Sequence, residues 1–189
     1  NSVGTVILQV INQYHVTESS ASILEACKDL SIAIFSFGIA SFLPRLGYKK
    51  AMLIALTIVT LACIVMPLAG GFTMTKILFI CVGVSFALIK VSVYSTVSLI
   101  TKDSQDHASF MSTLEGIFQI GVLTGYWIFG FFMSHKSMSW LDTYWILAVM
   151  SFCAFILLLT TTLDESSVKI KKATIAKDFI NMIGLIRLP

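Results

Sequence analysis

The chain has 189 residues, 57% of them hydrophobic and only 12% charged, with a mean hydropathy of +0.90. A soluble domain carries roughly 25% charged residues, so this composition excludes an ordinary soluble fold and reads as an integral membrane protein. The formal charge of +3 sits in loops rather than on one face, which excludes a nucleic-acid-binding surface.

The chain opens inside an apolar stretch with no signal-peptide pattern, and reads as lacking its true beginning. Residues 1–14 then form the later part of a first helix. Asn1, Thr5, Gln9, Asn12 and Gln13 recur at helical spacing along one side of it. A polar stripe in lipid must face protein or water, because hydrocarbon offers no hydrogen-bond partners. It reads either as a helix–helix seam or as the lining of a cavity. His15 and Glu18 fall in a short outer loop over 13–20.

A second helix is expected over 21–44. Its outer third carries Glu25, Lys28 and Asp29, with Lys28 placed to answer Glu25 one turn earlier. Lys28 reads as a lysine that snorkels to water at the membrane boundary, while Glu25 and Asp29 are candidates for an outer gate or proton site. Leu30 to Pro44 then runs for fifteen residues without a charge.

A basic turn follows, Ser41-Phe-Leu-Pro44-Arg45-Leu-Gly47-Tyr48-Lys49-Lys50. Short cytoplasmic loops carry the excess of Lys and Arg, so Arg45, Lys49 and Lys50 predict a hairpin on the cytoplasmic side. Pro44 is expected to end the second helix, and Gly47 to supply the backbone freedom of the reversal. The third helix, 51–69, is apolar apart from Thr57 and Thr60 and is expected to face lipid; Pro67, Gly70 and Gly71 mark an outer turn.

The fourth helix, 74–101, carries Lys90 near its middle, with Tyr94 one turn on. An ammonium at the bilayer centre costs about 2.5–3.5 kcal/mol on insertion scales, so Lys90 calls for a wet interior or a carboxylate. A purely structural ion pair is the alternative to a functional one. Residues 102–111 are expected to form a polar cytoplasmic loop. The fifth helix, 112–134, presents Glu115 and Gln119 on one face, with Glu115 toward the cytoplasmic end and placed to reach toward Lys90 across a gap. Gly121 and Gly125 form a Gly-x-x-x-Gly that lets another helix approach. Trp140, Tyr144 and Trp145 are expected at the aromatic belt.

The sixth helix, 139–163, includes 21 uncharged residues over 143–163, and 164–189 reads as a linker with an amphipathic helix on the inner membrane face. Nine of the thirteen Lys and Arg then fall on the inner side, as the positive-inside rule requires. Cys27, Cys63, Cys81 and Cys153 lie in apolar runs without Cys-x-x-Cys spacing and read as small buried apolar residues. No His-Glu-x-x-His, Gly-x-Ser-x-Gly or Cys/His cluster is present, so neither an enzyme nor a cofactor is expected.

Helices one, two, four and five carry polar residues, while three and six carry almost none. Two successive sets of three, each closed by an apolar helix, predict an all-α membrane fold of six transmembrane helices arranged as an inverted 3+3 repeat. The stretch from Ala40 to Lys49 resembles the loop between helices two and three of major facilitator superfamily transporters, usually Gly-x-x-x-Asp-Arg-x-Gly-Arg-Arg/Lys. Arg45, Gly47 and Lys49 match it; Ala40, Pro44 and Tyr48 depart from it. The Gly-Tyr-Lys form, and the run from Leu114 through Gly125, look more like the sugar–proton symporter branch typified by fucose permease.

The resemblance implies half of a twelve-helix transporter working by alternating access. Residues 1–163 would be its N-terminal six-helix half, and 164–189 would lead to a seventh helix. The implied partners are a C-terminal six-helix half, the lipid bilayer, a small-molecule substrate and protons. The implied location is a plasma membrane, taken as a bacterial inner membrane. Helices one and four line the cavity in that plan, which makes Thr5, Gln9, Asn12, Lys90, Tyr94 and Gln119 candidates for substrate binding. Glu25, Asp29, Arg45, Gly47, Lys49 and Glu115 are candidates for coupling or gating. The sugar branch uses acids in helices one and four; Lys90 stands instead of an acid here and favours a small polar, anionic solute. An exporter of amphipathic compounds and a non-transporting membrane sensor are the alternatives.

Overall fold

The structure, a computed structural model, describes residues 2–101, 103–134 and 139–163. These form α1 (Ser2–Tyr14), α2 (Glu18–Leu46), α3 (Tyr48–Ala69), α4 (Phe72–Ile100), α5 (Ser104–Ser134), a 3-10 turn (Trp140–Asp142) and α6 (Thr143–Thr160). Four of them are long and apolar enough to cross a membrane among the described residues: α3, α4, α5 and the stretch from Trp140 to Thr160. The six spans expected from the sequence are therefore not all matched on this measure. The 13 residues of α1 rise about 20 Å, less than a hydrocarbon core about 30 Å thick.

The hairpin between α2 and α3 is a single residue. Gly47 has φ +88°, its N–H donates to the Leu43 carbonyl at 3.0 Å, and its carbonyl accepts from the Ala51 N–H at 3.0 Å. A side chain at that φ would be strained, so the reversal depends on glycine. Pro44 does not end the helix as expected, since α2 continues through it to Leu46. Near a helix end a proline removes one hydrogen bond without stopping the coil; the left-handed Gly47 stops it.

The loop expected over 102–111 is also mostly helix, because α5 starts at Ser104. Asp106 lies in its first turn, where the helix dipole favours a carboxylate. His107 N–H bonds the Asp103 carbonyl at 3.0 Å, and its Nδ1 lies 3.1 Å from Thr101 Oγ1.

Both ends of the bundle are pinned by side chains. At the basic end, Lys49 Nζ donates to the carbonyls of Leu159 at 3.0 Å and Thr161 at 2.7 Å, tying the hairpin to the last turn of α6. Helix-end carbonyls lack intrahelical donors, so a lysine there satisfies two of them. At the opposite end the Gly71 N–H donates to Tyr14 Oη at 2.8 Å, and Trp140 Nε1 donates to Gln13 Oε1. Ser139 and Asp142 close a capping box before α6.

Packing is uneven. Helix α4 runs along both α2 and α3, and α3 also runs along α6, whereas α5 touches α1, α4 and α6 over short stretches. Helix α3 is thus not the lipid-facing element its apolar sequence suggested. Ala51 and Ala55 are fully buried, as are Thr60, Cys63 and Met66 nearly so, while Leu61 and Leu68 on its other side are exposed. Apolarity alone does not distinguish a lipid neighbour from a protein one, since lipid tails are as apolar as leucine.

The closest helix contact is at Gly83 of α4. A Cβ there would lie 2.6 Å from the Lys28 carbonyl oxygen and 2.9 Å from Ser31 Cβ. Only glycine admits that approach. By contrast, a Cβ at Gly121 or Gly125 would meet nothing within 4 Å, so the Gly-x-x-x-Gly of α5 receives no helix among the described residues. Trp140 and Tyr144 are buried in the core with Phe129 rather than standing at an interface, whereas Trp145 is exposed. The amphipathic tail expected over 164–189 lies outside the described residues.

Candidate functional site

Away from the helix ends, side-chain ion pairs form at two places among the described residues. The first lies between α4 and α5. Lys90 stands four residues, about 6 Å, past the midpoint of α4 toward its basic end. Its Nζ lies 3.5 Å from Glu115 Oε1, and Tyr94 Oη donates to the same oxygen. The spacing of 90 and 94 makes this possible, because residues four apart on a helix share a face. Lys90 also lies 5.7 Å from the Phe86 ring centroid and 5.3 Å from that of Tyr94, within cation–π range.

These groups border a cleft of about 360 Å³, half open to one side, that is otherwise lined by Phe86, Ile89, Val93, Leu114, Ile117 and Phe118. The Lys90 and Glu115 side chains are 42% and 44% exposed. A pair that open is accessible to a ligand, and an incoming anion can replace one carboxylate by another on the same ammonium and phenol. Phe86 and Phe118 both line the cleft and touch each other there, 5.8 Å between ring centroids at 50°. The sequence pattern located Lys90, Tyr94 and Glu115; the two phenylalanines escaped it, because an aromatic in an apolar helix carries no signal of what it faces.

Nine other expected cavity and gating residues do not line this cleft. Thr5 and Gln9 are half-buried on α1, and Asn12 is exposed; none of the three lines the cleft. Gln119 is exposed on α5, one turn beyond Glu115, and Arg45 is exposed at the hairpin. Lys49 holds the end of α6 and Gly47 forms the turn, so both serve the junction between hairpin and sixth helix.

The second place is Lys28. It lies beside Gly83, three residues from the midpoint of α4, and not at the membrane boundary where the sequence suggested it. Its side chain is 14% exposed, and its ion pair is with Asp29 at 3.2 Å rather than with Glu25. It borders a cavity of about 140 Å³ with Val6, Leu78, Phe79, Phe129, Tyr144 and Leu147, so α1, α2, α4, α5 and α6 all meet there. Its stem thus lies beside a five-helix junction while its ammonium pairs with a carboxylate. Asp29 is 61% exposed, and Glu25 is half-buried on the same helix.

A third groove, of about 280 Å³ between α3 and α4, has only apolar side chains and the Cys81 thiol around it. It offers no charged group with which to orient a solute.

Comparison with known proteins separates the possible settings for these sites. The sequence model of the Major Facilitator Superfamily matches residues 1–189. The chain belongs to that superfamily. This makes it a membrane-embedded transporter protein rather than an enzyme, in keeping with its all-helical fold and its apolar helices. No curated protein matches the chain, and no solved structure does.

Proposed function

We propose that this superfamily member carries a small anionic solute across the membrane by alternating access, coupled to protons, with Lys90 as the residue that binds the anionic group. The observation that carries this reading is the Lys90–Glu115 pair, which joins two helices yet stays open to a cleft. Glu115 is then the resident counter-ion in the empty state, and Tyr94 is the second donor to whichever carboxylate is present. Protonation of Glu115 on entry of the solute gives the coupling step its simplest form, because it releases Lys90 from its own acid.

In this reading 1–163 is a six-helix half built as an inverted 3+3 repeat, and 164–189 links it to a second six-helix half. The basic end bearing Arg45, Lys49 and Lys50 faces the cytoplasm of a bacterial cell, following the positive-inside rule. The branch is one related to sugar–proton symporters, adapted from neutral sugar to anion by Lys90. Thr5, Gln9, Asn12 and Gln119 would line the wider cavity that the second half encloses, on the solute's path to the Lys90 cleft, while Glu25 and Asp29 would act at the opposite mouth.

Uptake of small carboxylates by proteoliposomes, with and without an inward proton gradient, tests the proposal. Lys90→Ala is expected to remain folded and lose uptake. Lys90→Arg recovers part of it, since a planar fork does not reproduce a point charge. The double variant Lys90→Ala/Glu115→Ala is expected to be stable and inactive; restored uptake there would reduce the pair to a structural one. The apolar walls of the cleft favour a second reading, export of amphipathic compounds. Uptake that needs an outward proton gradient would select it.

A further inference from the structure

The walls of the Lys90 cleft say more about the solute than its charge. We infer that the substrate is a monocarboxylate with a ring-bearing apolar body, a narrower class than the small polar anions; this rests on Lys90 being the anion site. The first argument is charge. Among the described residues Lys90 is the one cation bordering the cleft, and Glu115 shares the site with it. A dianion such as phosphate would bring two negative charges to one ammonium beside a displaced carboxylate. A single carboxylate exchanges one for one with Glu115 and takes over the same two donors, Lys90 Nζ and Tyr94 Oη.

The second argument is the remaining surface. Beyond the charged end the cleft offers Phe86, Phe118 and aliphatic side chains, with no further hydroxyl, amide or charge. A polyol or hydroxy acid would leave its hydroxyls against hydrocarbon without partners, which is unfavourable. Phe86 and Phe118, tilted against each other, both border the cleft and give a ligand ring the aromatic surface on which offset or edge contacts form. The third argument is size. A cleft of about 360 Å³ lies within the range of small-molecule pockets and is far roomier than a two-carbon acid requires.

Titration of the purified protein with phenylacetate, acetate, lactate and neutral phenylacetamide tests the inference, with the thermal midpoint confirming that each variant is folded. Phenylacetate is expected to bind at least about tenfold more tightly than acetate or lactate, a difference well resolved by calorimetry, and phenylacetamide not to bind. Phe118→Ala, with Phe118→Leu as its milder companion, should remove most of that advantage while leaving acetate unchanged. Acetate or lactate binding as tightly as phenylacetate, or an advantage indifferent to Phe86→Ala and Phe118→Ala, overturns the ring-bearing body and leaves Lys90 standing as an anion site. Phenylacetamide binding as well as phenylacetate, or no carboxylate binding by the folded protein, overturns the Lys90 reading together with this one.

Discussion

Of the lysines in the described helices, Lys28 and Lys90 lie away from the helix ends, and they sit in opposite surroundings. Lys28 borders a small cavity where five helices meet, with its side chain only 14% exposed and its partner on the adjacent residue. Lys90 stands at an open cleft, with a partner supplied by another helix. The first is surrounded by side chains that cannot move without disturbing the bundle. The second is surrounded by space. A buried charge in fixed packing belongs to stability, whereas a charge whose counter-ion comes from a loosely packed neighbour can change partners. Helix α5, which brings Glu115, is that neighbour: it touches the rest of the bundle over short stretches only.

The sharpest way to break this comparison is at Gly83. Because its missing Cβ would fall within 2.6 Å of backbone, Gly83→Leu is expected to prevent accumulation of folded protein altogether. Gly83→Ala should still cost about 1–3 kcal/mol, the usual penalty of overpacking, seen as a lower thermal midpoint. Gly121→Ala on α5 should leave the midpoint unchanged in this chain, since nothing lies within reach of it. An equal fall at both positions would dissolve the contrast between the packed and the open side.

Next comes Lys28. Lys28→Ala removes a long stem from a nearly closed site and should destabilise by about 2 kcal/mol or more, as large-to-small core changes do. Lys28→Met keeps the volume and removes the charge, and should cost much less, because replacing a buried ion with a packed apolar group is often neutral. Asp29 stays solvated in both variants. If Met is as harmful as Ala in thermal unfolding, the charge and not the stem holds the junction. Lys90→Ala sharpens the comparison from the other side, with uptake lost and the thermal midpoint nearly unmoved. The smallest effect is expected at Lys49. Lys49→Ala removes two bonds to the end of α6 from a partly exposed site, and should cost about 1 kcal/mol or less; Lys49→Arg should retain most of the stability.

The small-residue motifs show why the sequence could be read only part of the way. Three glycine or alanine pairs spaced by four residues lie within the described helices: Ala51 and Ala55, Gly83 and Ala87, Gly121 and Gly125. The first two are used, with Ala51, Ala55 and Ala87 almost wholly buried, and Gly83 carries the closest approach. The most conspicuous pair, of two glycines, is met by no helix among the described residues. Small residues permit contact without stating which helix arrives.

The sequence by itself determined what depends on local chemistry and on lipid as a solvent. Uncharged runs long enough to span hydrocarbon, the basic hairpin with its left-handed glycine, and the meeting of Lys90, Tyr94 and Glu115 all follow from spacing along one or two neighbouring helices. The family could be recognised from the same hairpin. Only the tertiary structure decided which apolar faces meet protein rather than lipid, that α3 is packed and α5 exposed, that Lys28 borders a junction of five helices, and that Phe86 and Phe118 wall the Lys90 cleft. The physical reason is shared by all four. In a membrane the outside of a helix and its packing face are equally apolar, so hydrophobic pattern does not separate them; only the arrangement of the other helices does.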